Sequence, residues 1–353
     1  MSETSHSAPA QSNHQRDMRE TPTIAAPPRK RHPRAWRIAA WSMATVVPLL
    51  LALIAFGLLH PITLMVMVTQ MRLWGDGIHS KSMEIPFAGH QNVRIRYYEG
   101  GSGDPLVLVH GLGGRAEDWS HLMPRLVRNH RIYALDLPGY GRSAAPRGAQ
   151  YSISEETAAV EAFMDRLGLQ KTDLAGWSMG GWIALEIALQ QPSRIRRLIV
   201  FDSAGLRWNL KWNPDLFEPN TPRKLHQLDA LLSPNLPRHV PGFVQRAIFR
   251  HVRRHGWVVR RSMNSMLTGN ALLDGKLTAL RMPMLIVWGK QDYLIPVSVA
   301  ERMHAEVPQS ELEIFDGCGH LAAEYCAARI APVVQGFLSE KAPMHGREAV
   351  IGK

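Results

Sequence analysis

An α/β fold built on a mostly parallel sheet, with helices on both faces, is predicted by three features of this 353-residue chain. Short continuous apolar runs alternate with helix-length amphipathic stretches from about residue 83 to residue 340. Glycine-rich segments stand directly after several of those runs, where open α/β sheets carry their ligand sites. The composition is that of a large hydrophobic core: 45% apolar residues, 20% charged and only two cysteines. Such a chain needs no disulfide framework and is not globally disordered. Two cysteines cannot complete a structural zinc site unaided, and no metal or cofactor is expected.

The N-terminus concerns location. Residues 1–37 read as a disordered basic tail that ends in Arg29, Lys30, Arg31, Arg34 and Arg37. Residues 38–59 are apolar and uncharged, and as a helix they would extend about 33 Å, enough to cross a bilayer. A cleaved signal peptide is the alternative. The long tail and the length of the run favour a retained transmembrane anchor. Trp36 and Trp41 mark its entry side. The basic flank places the N-terminus in the cytoplasm and the rest outside, on the periplasmic side in a bacterium. Residues 60–82 form a juxtamembrane segment, whose helix continues or bends after Pro61.

Residues 83–205 and 282–340 read as the α/β core. Strands are expected at 83–87 and 93–99 as a hairpin, then at 106–109, 131–135, 172–175, 198–201, 284–287 and 312–315. Helices are expected at 117–127, 154–167, 179–190 and 297–306. Residues 206–281 break the alternation and read as an inserted cap. This stretch holds thirteen Lys and Arg against four Asp and Glu, and so most of the net charge of +11. A basic cap with interspersed Trp208, Trp212 and Trp257 suits anionic headgroups. A solvated helix face explains the same charge. Nucleic acid is not expected, because no recognition module accompanies the charge.

The chemistry is concentrated after the strands. Gly176, Trp177, Ser178, Met179 and Gly180 form a G-x-S-x-G element between a strand and a helix, which presents Ser178 as a nucleophile. A serine hydroxyl needs a general base oriented by a carboxylate, in the chain order Ser, acid, His. His320 follows the last core strand within Gly317, Cys318 and Gly319, and is the expected base. Asp292, 28 residues earlier, is the favoured acid, and Asp202 is the alternative. His110, Gly111, Leu112, Gly113 and Gly114 follow another strand, so the N–H groups of Leu112 and Met179 are expected to form an oxyanion hole. His110, Gly111 and Trp177 are the expected substrate contacts. The loop from Asp136 to Ser143 receives no catalytic role. Cys318 reads as a small packing residue. A Cys318–Cys326 disulfide would join a turn to the next helix and is not expected.

These elements, in this order, resemble the α/β-hydrolase fold superfamily over residues 83–338. The anchor, Gly-Trp-Ser-Met-Gly-Gly, Trp-Gly-Lys-Gln-Asp and Cys-Gly-His resemble membrane-anchored monoacylglycerol lipases and related bacterial lipases. That resemblance implies hydrolysis of carboxylic, lipid-like esters through an acyl-serine intermediate. Ser178 excludes the relatives that use an aspartate nucleophile. Meta-cleavage C–C hydrolases are also similar, but they are expected to carry Trp after the histidine, where this chain has Leu321. Acyl transfer, perhydrolysis and non-catalytic ligand binding on a hydrolase scaffold are the remaining alternatives.

Overall fold

The computed structural model describes residues 34–233, 239–339 and 348–352, with side chains from residue 45 onward. The expected tail up to residue 33 lies outside the described residues. The chain divides into two units, 1–53 and 54–353. Described residues of the first unit are helical and belong to α1 (Arg34–Leu59), which ends in the second.

Within the second unit, Pro61 opens α2 (Pro61–Gly75) at a position where its missing N–H costs nothing. The segments Thr45–Leu59 and Pro61–Gly75 are bent by 109° at this break. Among the described residues no single helix is long and apolar enough to cross a membrane; the bent pair passes only when taken together. The run expected over 38–59 lies within the one helix α1, and the bend falls after it, at Pro61, where the sequence allowed the helix to continue or bend. Leu73 is buried, while Met65, Met67, Val68, Met71 and Trp74 are exposed.

The sheet begins with an antiparallel hairpin, β1 (Ile78–Phe87) and β2 (His90–Gly100). It continues with β3 (Asp104–Val109) and, after a 3₁₀ turn at Ala116–Trp119 and one-turn α3 (Met123–Leu126), β4 (His130–Leu135). The single helix expected over 117–127 is split here because Pro124 cannot donate to the carbonyl of Ser120. Then follow α4 (Ile153–Arg166), β5 (Thr172–Trp177), α5 (Met179–Gln190) and β6 (Ile195–Phe201). Ser152 caps α4 reciprocally with Glu155, fixing where that helix starts.

The cap follows β6 and contains α6 (Pro222–Leu232) and α7 (Gly242–Leu267). The core resumes with β7 (Met284–Gly289), α8 (Val297–Glu306), β8 (Glu311–Phe315), α9 (Ala322–Tyr325), α10 (Ala327–Ser339) and β9 (Glu348–Ile351). Strand order is β1-β2-β4-β3-β5-β6-β7-β8-β9. β2 meets both neighbours antiparallel, and every pairing from β4 onward to β9 is parallel.

The continuous apolar runs have a simple cause. Both faces of the sheet are covered, so successive residues feed opposite layers. On β3, Val107 and Val109 enter one layer, and Leu106 and Leu108 the other. On β7, Ile286 and Trp288 enter the first, and Leu285 and Val287 the second. α7 buries Ala247, Gly256, Val258, Ser262 and Met263 and exposes Arg246, Arg250, Arg253, Arg254 and Arg260. The seat of the cap on the core is polar as well as apolar. The Tyr140 and Ser262 hydroxyls lie 2.6 Å apart, Trp182 Nε1 donates to Ala271 O at 3.0 Å, and Trp212 Nε1 donates to Leu294 O at 2.8 Å.

Candidate active site

Ser178 occupies the junction between β5 and α5 with φ 56° and ψ −117°. That conformation costs a non-glycine residue about 1–3 kcal/mol and persists only where the surroundings impose it. Here Ser178 N donates to Phe201 O at 2.9 Å. Ser178 O accepts from the N–H groups of Gly181, Trp182 and Ala204 at 3.0–3.2 Å. The flanking glycines are required by close approach: a Cβ on Gly176 would lie 2.1 Å from Gly180 O, and one on Gly180 2.2 Å from Val109 O. The helix therefore packs directly on the strand ends, and the turn between them is held in its strained form.

Asp292 and His320 come from the loops after β7 and β8. Asp292 Oδ2 faces His320 Nδ1 at 2.8 Å, and Oδ1 accepts from Leu294 N and Ile295 N, both at 2.8 Å. Both residues are buried. A stitch between the two loops fixes their spacing. Gln291 N donates to Cys318 O at 2.8 Å, and its side chain accepts from Gly317 N at 2.7 Å and donates to Asp316 Oδ1 at 2.8 Å. Trp177 Nε1 donates to His320 O at 2.8 Å, tying the histidine loop to the residue before Ser178.

Asp202, the alternative acid, does not face the histidine in any hydrogen bond of the described residues. Its Oδ1 accepts from Gly289 N at 2.7 Å. Burial, with the neighbouring Asp292 charge, pushes its carboxyl well above the usual carboxylate range. It is placed to hold the end of β7.

The disulfide expectation is corrected. Cys318 and Cys326 are bonded, with Cα atoms 6.3 Å apart. α9 is only four residues long, so the chain turns back at Cys326 and brings it to the histidine loop.

His110 is also corrected as a substrate contact. It is fully buried, with Nε2 accepting from Leu137 N at 3.0 Å and Nδ1 at 2.8 Å from Gly111 O. Burial lowers its pKa to about 4 and keeps the ring neutral. It braces the loop that carries Gly111 and Leu112, and those two residues do line the cavity beside Ser178. Met179 opens α5, so its N–H has no carbonyl one turn earlier. Asp136 serves structure: Oδ1 accepts from Ala116 N at 2.7 Å and Oδ2 from Arg142 N at 2.9 Å.

Two lobes meet at Ser178. The first is apolar, about 740 Å³ to its open mouth, and is walled by Trp182, Leu206, Trp208, Leu210, Met263 and Leu272 among others. The second, about 1110 Å³ to its mouth, contains Trp177, His320 and four polar residues that sequence reasoning missed: Arg115, Asp118, His251 and Glu324. Arg115 and Asp118 follow the glycine loop closely enough to have been considered. His251 on α7 and Glu324 on α9 carry no local signal. Among the described residues, no group of three or more His, Cys, Asp or Glu is placed to hold a metal ion.

Comparison with known proteins agrees with this architecture. A family model described as the alpha/beta hydrolase family matches residues 106–333. The 2-hydroxymuconate semialdehyde hydrolase of a Pseudomonas species is 28% identical over 267 residues, 70% of this chain and 91% of that protein. A crystal structure of a membrane phospholipase A, described as a bacterial virulence factor, superposes with a TM-score of 0.70 at 25% identity. That alignment covers 85% of this chain and 100% of the other. The meta-cleavage product hydrolase of Pseudomonas fluorescens superposes with a TM-score of 0.59 at 23% identity, covering 73% and 97%. It shares the fold.

Proposed function

The chain belongs to the alpha/beta hydrolase family, and from that premise we propose that it is a serine hydrolase of lipid-like carboxylic esters. The observation that carries the reading is the placement of Ser178 on its strained turn in one cavity with His320, whose Nδ1 is paired to Asp292. In this reading His320 takes the Ser178 proton through Nε2 as Oγ attacks the ester carbonyl. The N–H groups of Leu112 and Met179 hold the oxyanion. His320 returns the proton to the leaving alcohol, which departs as the acyl-serine forms. Water, deprotonated by the same histidine, then releases the acid and restores Ser178. Asp292 fixes the tautomer with the proton on Nδ1.

The apolar lobe supports a fatty acyl group, as a monoacylglycerol-type or other lipid ester provides. The resemblance to a membrane phospholipase A supports the same class. Attachment to membrane lipid by the N-terminal segment, with the catalytic unit outside the cytoplasm, belongs to this proposal. The exposed apolar residues of α2 and the exposed arginines of α7 support it.

The similarity to 2-hydroxymuconate semialdehyde hydrolase favours a second reading, C–C bond hydrolysis at the same three residues. The deciding experiment compares wild type and Ser178→Ala on p-nitrophenyl esters from short to long chains, a monoacylglycerol and a dienoic meta-cleavage substrate. The ester reading expects ester turnover that Ser178→Ala lowers by about 10⁴-fold or more. Turnover of the dienoate alone would transfer the assignment to C–C hydrolysis.

A further inference from the structure

We propose that helix α2 is a working part of the catalytic apparatus: through Gln70, Arg72, Arg142 and Glu117 it positions the segment that supplies the Leu112 N–H. The inference rests on the Ser178 hydrolase reading above and gives α2 a role apart from attachment.

Glu117 is the centre of the connection. It lies in the 3₁₀ turn Ala116–Trp119, five positions after Leu112, and is 8% exposed. Its Oε1 accepts from the Tyr98 hydroxyl and from Arg142 Nη2, both at 2.8 Å. Burial works against the Glu117 charge, and the bonds from Arg142 and Tyr98 outweigh it, holding the carboxyl below its ordinary range. The turn therefore contains an ionised, desolvated carboxylate, which is costly to leave unpaired.

Helix α2 reaches this group through the guanidinium. With its amide oxygen turned toward Arg142, Gln70 accepts from Nη1 at 2.7 Å. Two positions on, Arg72 Nη2 lies 3.3 Å from Ser120 Oγ and 3.4 Å from Ser120 O, just past the end of the same turn. Leu73 is fully buried in the apolar cluster that also holds Trp119, Leu122 and Trp177. The helix thus holds the turn at Glu117, by way of Arg142, and again at Ser120.

The turn is in its own right built into the site. Ala116 N donates to Asp136 Oδ1 at 2.7 Å, Arg115 N to Asp118 Oδ2 at 2.8 Å, and Gly114 N to Gly111 O at 3.1 Å. Gly111 packs directly on the nucleophile, since a Cβ there would lie 3.0 Å from Ser178 Cβ. Trp119 meets Trp177 edge-on with ring centroids 5.9 Å apart, and Trp177 Nε1 donates to His320 O. An oxyanion donor works within a narrow range, about 2.7–3.1 Å. A small shift of this segment is therefore felt in the transition state and not in ground-state binding.

The test uses the full chain in detergent and a short soluble ester, p-nitrophenyl butanoate. The double variant Gln70→Ala with Arg72→Ala is expected to lower kcat about tenfold while KM stays within about twofold. Inhibition by a hexyl trifluoromethyl ketone, whose adduct with Ser178 carries an oxyanion, should weaken by about the same factor. Inhibition by trifluorooctane, which has no carbonyl to attack, should not change. Glu117→Leu is expected to lower kcat about 100-fold, and Glu117→Gln, which keeps an acceptor for Tyr98 and Arg142, to recover most of it. Wild-type kcat in the double variant would overturn the proposal. So would a loss confined to KM, or one that weakens both inhibitors equally. Gln70 is half-buried and Arg72 exposed, so the double variant decides the matter even if Glu117→Leu fails to fold. Absence of Ser178-dependent ester turnover in wild type would instead overturn the ester reading, and the same variants would then be compared on the dienoate.

Discussion

The two lobes that meet at Ser178 are assembled in different ways. The apolar lobe takes Leu210, Trp212, Met263 and Leu272 from the cap and Leu294 and Ile295 from the loop after β7. Its chemistry is uniform, and any set of large apolar residues of suitable volume would serve. The second lobe takes Gly111, Leu112, Arg115 and Asp118 from the segment after β3, His320 from the loop after β8 and Glu324 from α9, and its cap wall is largely apolar, with Leu225, Leu228, Leu232 and Ile248. His320 and Asp118 there are fixed by named hydrogen bonds. The contrast teaches that the cap walls tolerate change in identity but not in volume. The strand-end segments that carry His320 and Gly111 tolerate little change of either kind.

The sharpest way to break this comparison is at the orienting acid. Asp292→Asn is expected to lower kcat by about 10⁴-fold, because the amide no longer selects the tautomer that leaves Nε2 free to take a proton. Asp202→Asn, by contrast, should cost less than about tenfold. Equal losses on an ester assay would show that the acid role is shared. Next is the apolar lobe. Leu272→Trp fills it from the cap side and should lower kcat/KM for dodecanoyl esters about 100-fold relative to butanoyl esters. An unchanged chain-length profile would place the acyl chain elsewhere.

The disulfide joins cysteines eight residues apart in sequence that bracket His320, a residue of the second lobe. Cys326→Ser is expected to lower stability by about 2 kcal/mol through the freer unfolded chain, measured by denaturant unfolding. Full stability in that variant would remove the disulfide from the supports of the histidine loop.

The smallest effect expected is outside both lobes. Glu156 on α4 is fully buried, and neither carboxyl oxygen has a partner among the described residues. Burial raises its pKa well above the ordinary value, so the folded state holds its proton more tightly than the unfolded chain. Stability contributed by that proton is present below the unfolded pKa and is lost as pH rises toward the folded one. Glu156→Gln removes the titration. It should match wild type at pH 4 and exceed it by about 1–2 kcal/mol at pH 7. A constant difference across pH would mean that Glu156 is not the group responsible.

Much of the core was legible before the structure. The six apolar runs from β3 to β8 were visible because a strand covered on both faces has few polar positions to interrupt it. Ser178 was legible because the turn it sits on demands glycines at fixed offsets. β9 was not, since Glu348–Ile351 is too short and too mixed to stand out. The split of the expected 117–127 helix turned on one proline within an otherwise helical pattern. The bend after Leu59 has a related cause, a proline opening a second helix.

The sequence by itself pointed to the succession of core strands and helices up to β8, and to Ser178, His320 and Asp292, rather than Asp202, as the proposed nucleophile, base and acid. Each depends on residues close together in the chain, where backbone geometry dictates residue type. Only the tertiary structure decided that His110 braces a loop, that Cys318 meets Cys326, and that Arg115, Asp118, His251 and Glu324 share one wall. Those outcomes depend on which distant segments the sheet order and the cap bring together. No local propensity encodes such a meeting; it follows from how the whole core packs.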